Sequence, residues 1–207
     1  MDAAELLRNA RVVPVIVLDD PGEAVRLADV LFGAGLHTIE ITLRTSSALE
    51  AIENIAAKLP EVVVGAGSVR TTHQFAQIKD AGVRFAVSPG SSAELLDAAA
   101  AHELPFVPGA ITASELINMQ ERGYTLTKFF PAELAGGIPM LQALGAPLPE
   151  AQFFPTGGIT PALAIDYLEL SSVSCIGGSW ITPRHLLAAK NYEAVAKIAK
   201  DAAALGG

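Results

Sequence analysis

A lysine stands inside an apolar, strand-like segment of this 207-residue sequence. Lys128 lies within residues 125–131, Thr-Leu-Thr-Lys-Phe-Phe-Pro, whose composition favours a buried strand. Burial favours the neutral amine over the ammonium ion, and the neutral amine is the form that attacks a carbonyl carbon. Lys128 is therefore a candidate for Schiff-base chemistry, although a lysine at a strand end with its ammonium in water fits this spacing equally well.

A second segment carries two charged side chains. Residues 38–44, Thr-Ile-Glu-Ile-Thr-Leu-Arg, alternate as a strand does, so Glu40, Thr42 and Arg44 share one face and the apolar residues share the other. If the apolar face packs against helices, Glu40 and Arg44 point inward, where a charge must be paired or used. Four residues along a strand span roughly 13 Å, so each of the two charges needs another partner. Glu40 near a lysine suits general acid–base work, and Arg44 suits a bidentate contact with a carboxylate.

Two glycine pairs near the end of the chain suggest a phosphate site. They lie in Thr156-Gly157-Gly158 and in Gly177-Gly178-Ser179, each directly after a strand-like run. Glycine amides, a hydroxyl and a helix N-terminus form a recurrent phosphate site after the seventh and eighth strands of barrel enzymes. One glycine pair also occurs in ordinary tight turns, but two at consecutive strand ends favour phosphate binding.

A regular alternation of strands and helices must position these residues. Apolar runs rich in β-branched residues predict strands over 12–18, 38–43, 62–65, 84–87, 106–107, 125–130, 152–154 and 174–176. Helix-compatible stretches cover 3–9, 23–32, 47–58, 72–80, 93–101, 113–120, 134–144, 161–168 and 192–203. The pattern predicts an α/β fold in one domain, a single (β/α)₈ TIM barrel with a short N-terminal helix over residues 1–207. An open doubly wound sheet is the main alternative.

The barrel would place the candidate residues together. Its strands are covered on both faces, which would bury Lys128. Glycine-rich and polar junctions follow the predicted strands and would share the carboxyl-terminal rim, where barrel active sites lie. These junctions are 65–68, 88–90, 108–109, 156–158 and 177–179. Glu133, after the sixth strand, is interpreted as a charge that favours the start of the next helix, and its closeness to Lys128 in sequence leaves a minor role in the site open.

Composition excludes several classes of function. A formal net charge of -8, from 14 Lys and Arg against 22 Asp and Glu, argues against nucleic-acid binding. Cys175 is the only cysteine, which precludes an intrachain disulfide and favours a reducing compartment. The sequence has no apolar run of about 20 residues and no signal-peptide centre near its start, so we expect a cytoplasmic protein without membrane association. Carboxylates and histidines show no metal-ligand spacing, and we expect neither a metal nor another cofactor.

The segments that carry these candidates closely resemble the 2-dehydro-3-deoxy-6-phosphogluconate (KDPG) aldolase family, whose members are also described as 4-hydroxy-2-oxoglutarate (KHG) aldolases. The similarity runs nearly from end to end. Its blocks are PVIVLDD (14–20), IEITLRT (39–45), VGAGSV (64–69), FAVSPG (85–90), PGAIT (108–112), KFFPAE (128–133), FPTGGIT (154–160) and CIGGSW (175–180).

The resemblance implies a reaction and a set of roles. Lys128 would form the Schiff base, Glu40 would transfer protons, and Arg44 with Ser68 would hold the pyruvyl carboxylate. The remaining implied substrate-binding positions are Pro89, Phe130, Thr156, Gly157, Gly158 and Ser179. The implied reaction is cleavage of KDPG to pyruvate and glyceraldehyde 3-phosphate, with activity on KHG, in a homotrimer. The family motif usually has threonine where this chain has Ser68, which predicts looser positioning of the carboxylate.

Three other functions remain compatible with the sequence. A related aldolase could prefer the 4-epimer, 2-dehydro-3-deoxy-6-phosphogalactonate, or KHG alone, and relative kcat/KM values would distinguish these substrates. A phosphosugar isomerase or epimerase would share the phosphate loops and would keep its turnover in Lys128→Ala. A non-catalytic phosphosugar-binding barrel would bind ligand without forming an adduct or cleaving it.

Overall fold

The computed structural model describes residues 2–205, which alternate between strands and helices. The helices are α1 (Ala3–Leu7), α2 (Ala24–Gly33), α3 (Ala48–Lys58), α4 (Thr72–Asp80), α5 (Ala93–Ala101), α6 (Ala113–Glu121), α7 (Gly137–Gly145), α8 (Pro161–Leu168), α9 (Arg184–Ala188) and α10 (Tyr192–Ala204). The strands are β1 (Val12–Ile16), β2 (Thr38–Thr42), β3 (Val63–Gly67), β4 (Phe85–Val87), β5 (Phe106–Val107), β6 (Leu126–Phe129), β7 (Gln152–Pro155) and β8 (Ile176–Gly178). Short 3-10 segments at Pro21–Glu23 and Ser179–Ile181 follow β1 and β8.

The strands pair in parallel, as the alternation predicted, but not in one continuous sheet. Within residues 2–205, six strands form a curled main sheet in the order β5-β4-β3-β2-β1-β8, and β6 pairs with β7 in a second sheet. Isolated bridges join the two sheets, from Gly109 to Lys128 on one side and from Thr156 to Gly177 on the other. The predicted parallel α/β fold is confirmed, whereas the predicted single eight-stranded sheet is divided. At the seam between β5 and β6 the division fits the sequence, because β5 is short and Pro108 has no N–H with which to extend the pairing.

Helix α1 covers the amino-terminal side of the strands. Ala3 and Leu7 pack in an apolar cluster with buried residues on or beside the strands, which include Val13, Phe85, Val107, Leu126, Phe154 and Cys175. Burial raises the pKa of the Cys175 thiol, which suits a small apolar packing role for this residue. With this side occupied, the carboxyl-terminal ends of the strands are the side open to chemistry.

Local contacts move some element boundaries from their predicted places. Helix α7 begins at Gly137 rather than at 134, because residues 131–136 form turns and Gly136 has a φ of 107°. Strand β2 ends at Thr42, so Arg44 lies in the turn that follows, where its N–H donates to the Thr42 carbonyl at 2.8 Å. Within residues 2–205 no helix is both long and apolar enough to cross a bilayer.

Candidate active site

Lys128 and Glu40 meet in the interior of the protein. Lys128 Nζ lies 3.0 Å from Glu40 Oε1 and 3.3 Å from Oε2, and the two residues are 3% and 0% exposed. They come from β6 and β2, which lie in different sheets, so the contact crosses the space between the strands. Taking two charges out of water is costly, and such buried pairs are often kept for chemistry. Lys128 is thus the partner that a buried charge on Glu40 requires.

A glycine on the neighbouring strand makes room for Glu40. In the β2–β3 register, Glu40 is opposite Gly65 and Thr42 is opposite Gly67. A Cβ atom on Gly67 would overlap the Glu40 carboxylate, and one on Gly65 would overlap the Phe85 ring. The small residues of this strand therefore let the carboxylate lie across it and reach Lys128. Sequence reasoning had not singled out Gly67, because the need for it arises only from contacts across strands.

Two aromatic rings flank the lysine amine. The centroids of Phe130 and Phe154 each lie 5.8 Å from Lys128 Nζ. Phe154 is opposite Lys128 in the β6–β7 register, and Phe130 follows β6 directly. These rings limit the access of water to the amine and stabilise its positive charge through their faces. The resemblance implied only Phe130; Phe154 was missed because it reads as an ordinary core residue.

Arg44 and Ser68 are brought together at the strand ends. Arg44 Nε donates a hydrogen bond to Ser68 Oγ at 3.1 Å. Ser68 is 7% exposed and has a φ of 59°, in the left-handed region, whereas Arg44 is exposed. Within residues 2–205 the terminal Nη atoms of Arg44 make no hydrogen bond, so they are available for a carboxylate. The bond to Ser68 orients the guanidinium plane.

The two glycine loops lie side by side. Thr156 at the end of β7 bridges to Gly177 in β8, and a Cβ atom on Gly177 would overlap the Thr156 side chain. Gly157 and Gly158 have φ values of 103° and 82°, which side chains other than glycine rarely adopt. Thr156 is 5% exposed, and its Oγ1 has no hydrogen-bond partner within residues 2–205. An unpartnered buried hydroxyl is costly, and a polar ligand would satisfy it.

The first glycine loop is also close to the residues around the lysine. A Cβ atom on Gly157 would lie 3.2 Å from the Phe130 ring. Ser179 is exposed and begins the 3-10 segment directly after β8. Pro89, which is half-buried, lies with its backbone against Gly109, the residue that bridges to Lys128. All the candidate residues therefore lie on β2, on β6 or at carboxyl-terminal strand ends.

Within residues 2–205 no three His, Cys, Asp or Glu side chains gather closely enough to hold a metal ion.

Comparisons with known proteins match almost the whole chain. A sequence model of the family described as KDPG and KHG aldolase matches residues 3–198. The chain is 45% identical over 200 residues to the KHG/KDPG aldolase of Escherichia coli K12, which covers 97% of this chain and 94% of that protein. It is 38% identical over 197 residues to the 2-dehydro-3-deoxy-phosphogluconate aldolase of Pseudomonas aeruginosa, covering 95% and 90% of the two chains.

Two solved structures are similar over almost the whole chain. The KDPG aldolase of Legionella pneumophila, with pyruvate captured at low pH as a covalent carbinolamine intermediate, aligns with a TM-score of 0.94 at 40% identity over 97% of both chains. The KDPG aldolase of Zymomonas mobilis aligns with a TM-score of 0.93 at 40% identity, over 99% of this chain and 98% of that one.

Proposed function

Since the chain belongs to the KDPG and KHG aldolase family, we propose that it is a class I aldolase that cleaves KDPG to pyruvate and glyceraldehyde 3-phosphate. The observation that carries the proposal is the buried contact between Lys128 Nζ and the Glu40 carboxylate. It provides an amine, and a base that can take its proton, in one water-poor space. KHG is proposed as a second substrate because the similar E. coli protein is named for both.

Formation of the Schiff base uses this pair first. Glu40 takes a proton from Lys128, and the neutral amine attacks the C2 carbonyl carbon of the substrate. The carbonyl oxygen takes up the proton that the attacking nitrogen loses, which gives a carbinolamine, and the hydroxyl then leaves as water with the proton that Glu40 carries. The product is an iminium between Lys128 Nζ and C2, which can accept an electron pair from the adjacent carbon–carbon bond.

In cleavage and release, Glu40 acts as a base again. Glu40, again ionised, removes the proton of the C4 hydroxyl, directly or through water. The C3–C4 electron pair moves into the iminium, which becomes an enamine, and glyceraldehyde 3-phosphate leaves. Glu40 returns this proton to C3 of the enamine, directly or through water, and water hydrolyses the resulting iminium to pyruvate and free Lys128.

The other residues are proposed to bind the two ends of the substrate. Arg44, held by Ser68, would contact the C1 carboxylate with its free Nη atoms. Pro89 and Phe130 would flank the chain of the substrate near the amine. The phosphate would be bound by Thr156, Gly157, Gly158 and Ser179. The buried hydroxyl of Thr156 supports this assignment, because it has a donor proton and no partner within residues 2–205.

We also propose that the two sheets close into one (β/α)₈ barrel in a single domain. The bridges Gly109–Lys128 and Thr156–Gly177 support closure at both seams. The homotrimer is a proposal that rests on the family resemblance, and sedimentation would test it. The cytoplasmic location is a proposal that rests on the composition of the sequence, and fractionation of the expressing cells would test it.

Reductive trapping tests the function directly. Borohydride reduction in the presence of pyruvate should leave a pyruvyl adduct on the peptide that contains Lys128, located by mass mapping. Lys128→Ala should give no adduct and no cleavage, while a chelator should leave activity intact. An adduct elsewhere, or turnover that persists in Lys128→Ala, would remove the covalent mechanism.

A further inference from the structure

Glu133 and Tyr167 form a side-chain hydrogen bond beside the first glycine loop. The Tyr167 hydroxyl donates to Glu133 Oε1. Tyr167 lies on α8 and is fully buried, whereas Glu133 lies in the turns between β6 and α7. Burial raises the pKa of the Tyr167 phenol, and the hydrogen bond to Glu133 raises it further. The phenol therefore stays protonated at neutral pH and remains the donor.

The same glutamate is fastened to the glycine loop by its backbone and its side chain. The N–H of Glu133 donates to the Gly157 carbonyl at 3.1 Å, and the N–H of Ala132 donates to the Thr156 carbonyl at 2.8 Å. A Cβ atom on Gly158 would lie 2.8 Å from Glu133 Cβ, so the glutamate side chain packs directly over Gly158. The loop is thus held against the segment that begins at Lys128.

The loop needs such support because of its composition. Glycine has more conformational freedom than any other residue type. The amides of these two glycines therefore keep one direction only if neighbouring groups fix them. The loop runs directly into α8, which Thr160 caps, and Tyr167 lies near the other end of that helix. The Tyr167–Glu133 bond therefore joins the segment after β6, the glycine loop and α8 into one unit.

We propose that Glu133 and Tyr167 are positioning residues that fix the amides of Gly157 and Gly158 for the substrate phosphate. The inference rests on the proposed function, which it deepens: the pair sets the preference for phosphorylated over unphosphorylated substrates. The side chains of Lys128 and Glu40 bond to each other and not to this pair, so we expect the loss of the pair to leave the chemistry at C2 unchanged.

Tyr167→Phe is the main test, because it removes one hydroxyl and keeps the buried ring. The KM for KDPG should rise about three- to tenfold with little change in kcat, in line with the loss of one hydrogen bond. The KM for dephosphorylated KDPG, and the rate of pyruvate trapping on Lys128, should not change. Calorimetry with inorganic phosphate should show binding weakened by a similar factor.

A matched control removes the same kind of bond elsewhere. Tyr192 donates to Glu23 Oε2 at 2.6 Å, between α10 and the 3-10 segment after β1. Tyr192→Phe should leave the preference for phosphorylated substrate unchanged. Glu133→Gln, which keeps an acceptor oxygen, should behave like the wild type, and Glu133→Ala should behave like Tyr167→Phe.

Equal losses on the two substrates, or wild-type phosphate binding in both Tyr167→Phe and Glu133→Ala, would overturn the inference. The proposed function fails in a different way. If the wild-type chain neither cleaves KDPG nor forms an adduct, that function is contradicted, while phosphate binding still reports on the role of Tyr167.

Discussion

At the scale of single residues, the Glu40 carboxylate can occupy its position only because Gly67 has no Cβ atom. Gly67→Ala would place a Cβ atom where the buried carboxylate now lies. Glu40 would swing away from Lys128, and proton transfer would fail. We expect kcat to fall by at least about 100-fold, since positioned acid–base groups contribute about 10²- to 10⁴-fold.

The control for this change is Gly33→Ala. Gly33 ends α2, and a Cβ atom there would meet nothing within 4 Å. Steady-state kinetics should therefore separate the two variants, with circular dichroism to check that both fold. Wild-type kcat in a folded Gly67→Ala protein would show that the carboxylate position is not required.

We expect the Lys128–Glu40 pair to contribute more to catalysis than to the free energy of unfolding. Lys128→Met alone would leave Glu40 buried without a counter-charge, which costs about 3–5 kcal/mol of unfolding free energy. The double variant with Glu40→Gln removes both charges and should recover most of that loss, although it remains inactive. Urea denaturation of the single and double variants measures this difference. A double variant less stable than the single one would contradict the argument.

The sequence indicated which residues could do chemistry but not which residues they contact. Glu40 and Lys128 were recognisable because charged residues in apolar strands need partners. Their pairing across 88 positions, the overlap at Gly67 and the ring of Phe154 depend on distances between strands, which no local pattern encodes. The resemblance named Arg44 and Ser68 together as carboxylate-binding residues, but nothing in the sequence indicated the hydrogen bond between them.

At the scale of elements, hydrophobic pattern predicted nearly every strand and helix to within a few residues. One exception lies where tertiary contacts replace the local preference for a helix. Residues 134–136 were predicted as helix, but Gly136 adopts a left-handed conformation and Glu133 bonds to Tyr167 instead of starting a helix. Helix α9, which begins after Pro183, was missed because it is short and contributes no buried residue.

The 3-10 segment Pro21–Glu23 is tied to α10 by a carboxylate. Glu23 accepts from Lys190 Nζ at 2.7 Å and from the Tyr192 hydroxyl at 2.6 Å. The hydrogen bond from Lys190, followed by that from Tyr192, lowers the pKa of Glu23. A carboxyl whose pKa is lower in the folded state stabilises the protein above its unfolded pKa, and this contribution disappears as the pH falls through the folded pKa.

Glu23→Gln should therefore lower Tm at neutral pH and have a smaller effect in acid. The difference in Tm between the wild type and the variant should shrink as the pH falls below 4.5, the ordinary value for a glutamate. Differential scanning calorimetry at several pH values provides the measurement, with Glu193→Gln on α10 as the control. A difference that does not depend on pH would show that the carboxylate charge is not what ties the segment to α10.

At the scale of the whole molecule, the site lies across the division between the two sheets. Lys128 belongs to the β6–β7 sheet, whereas Glu40, Arg44 and Ser68 belong to the main sheet or to the residues that follow its strands. The seams between the sheets consist of isolated bridges, while the β2–β3 pairing extends over five residue pairs. A substrate bonded to Lys128 and held by Arg44 would therefore connect the two sheets covalently on one side and by hydrogen bonds on the other.

This connection predicts that trapping pyruvate on Lys128 stabilises the seams. Hydrogen exchange measured by mass spectrometry should slow in peptides that cover residues 106–110 and 126–130, because the Lys128 N–H to Pro108 and Ala110 N–H to Lys128 bonds would open less often. Peptides from β2 and β3 should change little, since their ladder is already continuous. Arg44→Ala should weaken the effect without preventing the adduct, because the covalent bond would then hold only one sheet. If the seams exchange equally fast with and without pyruvate, the substrate does not join the two sheets.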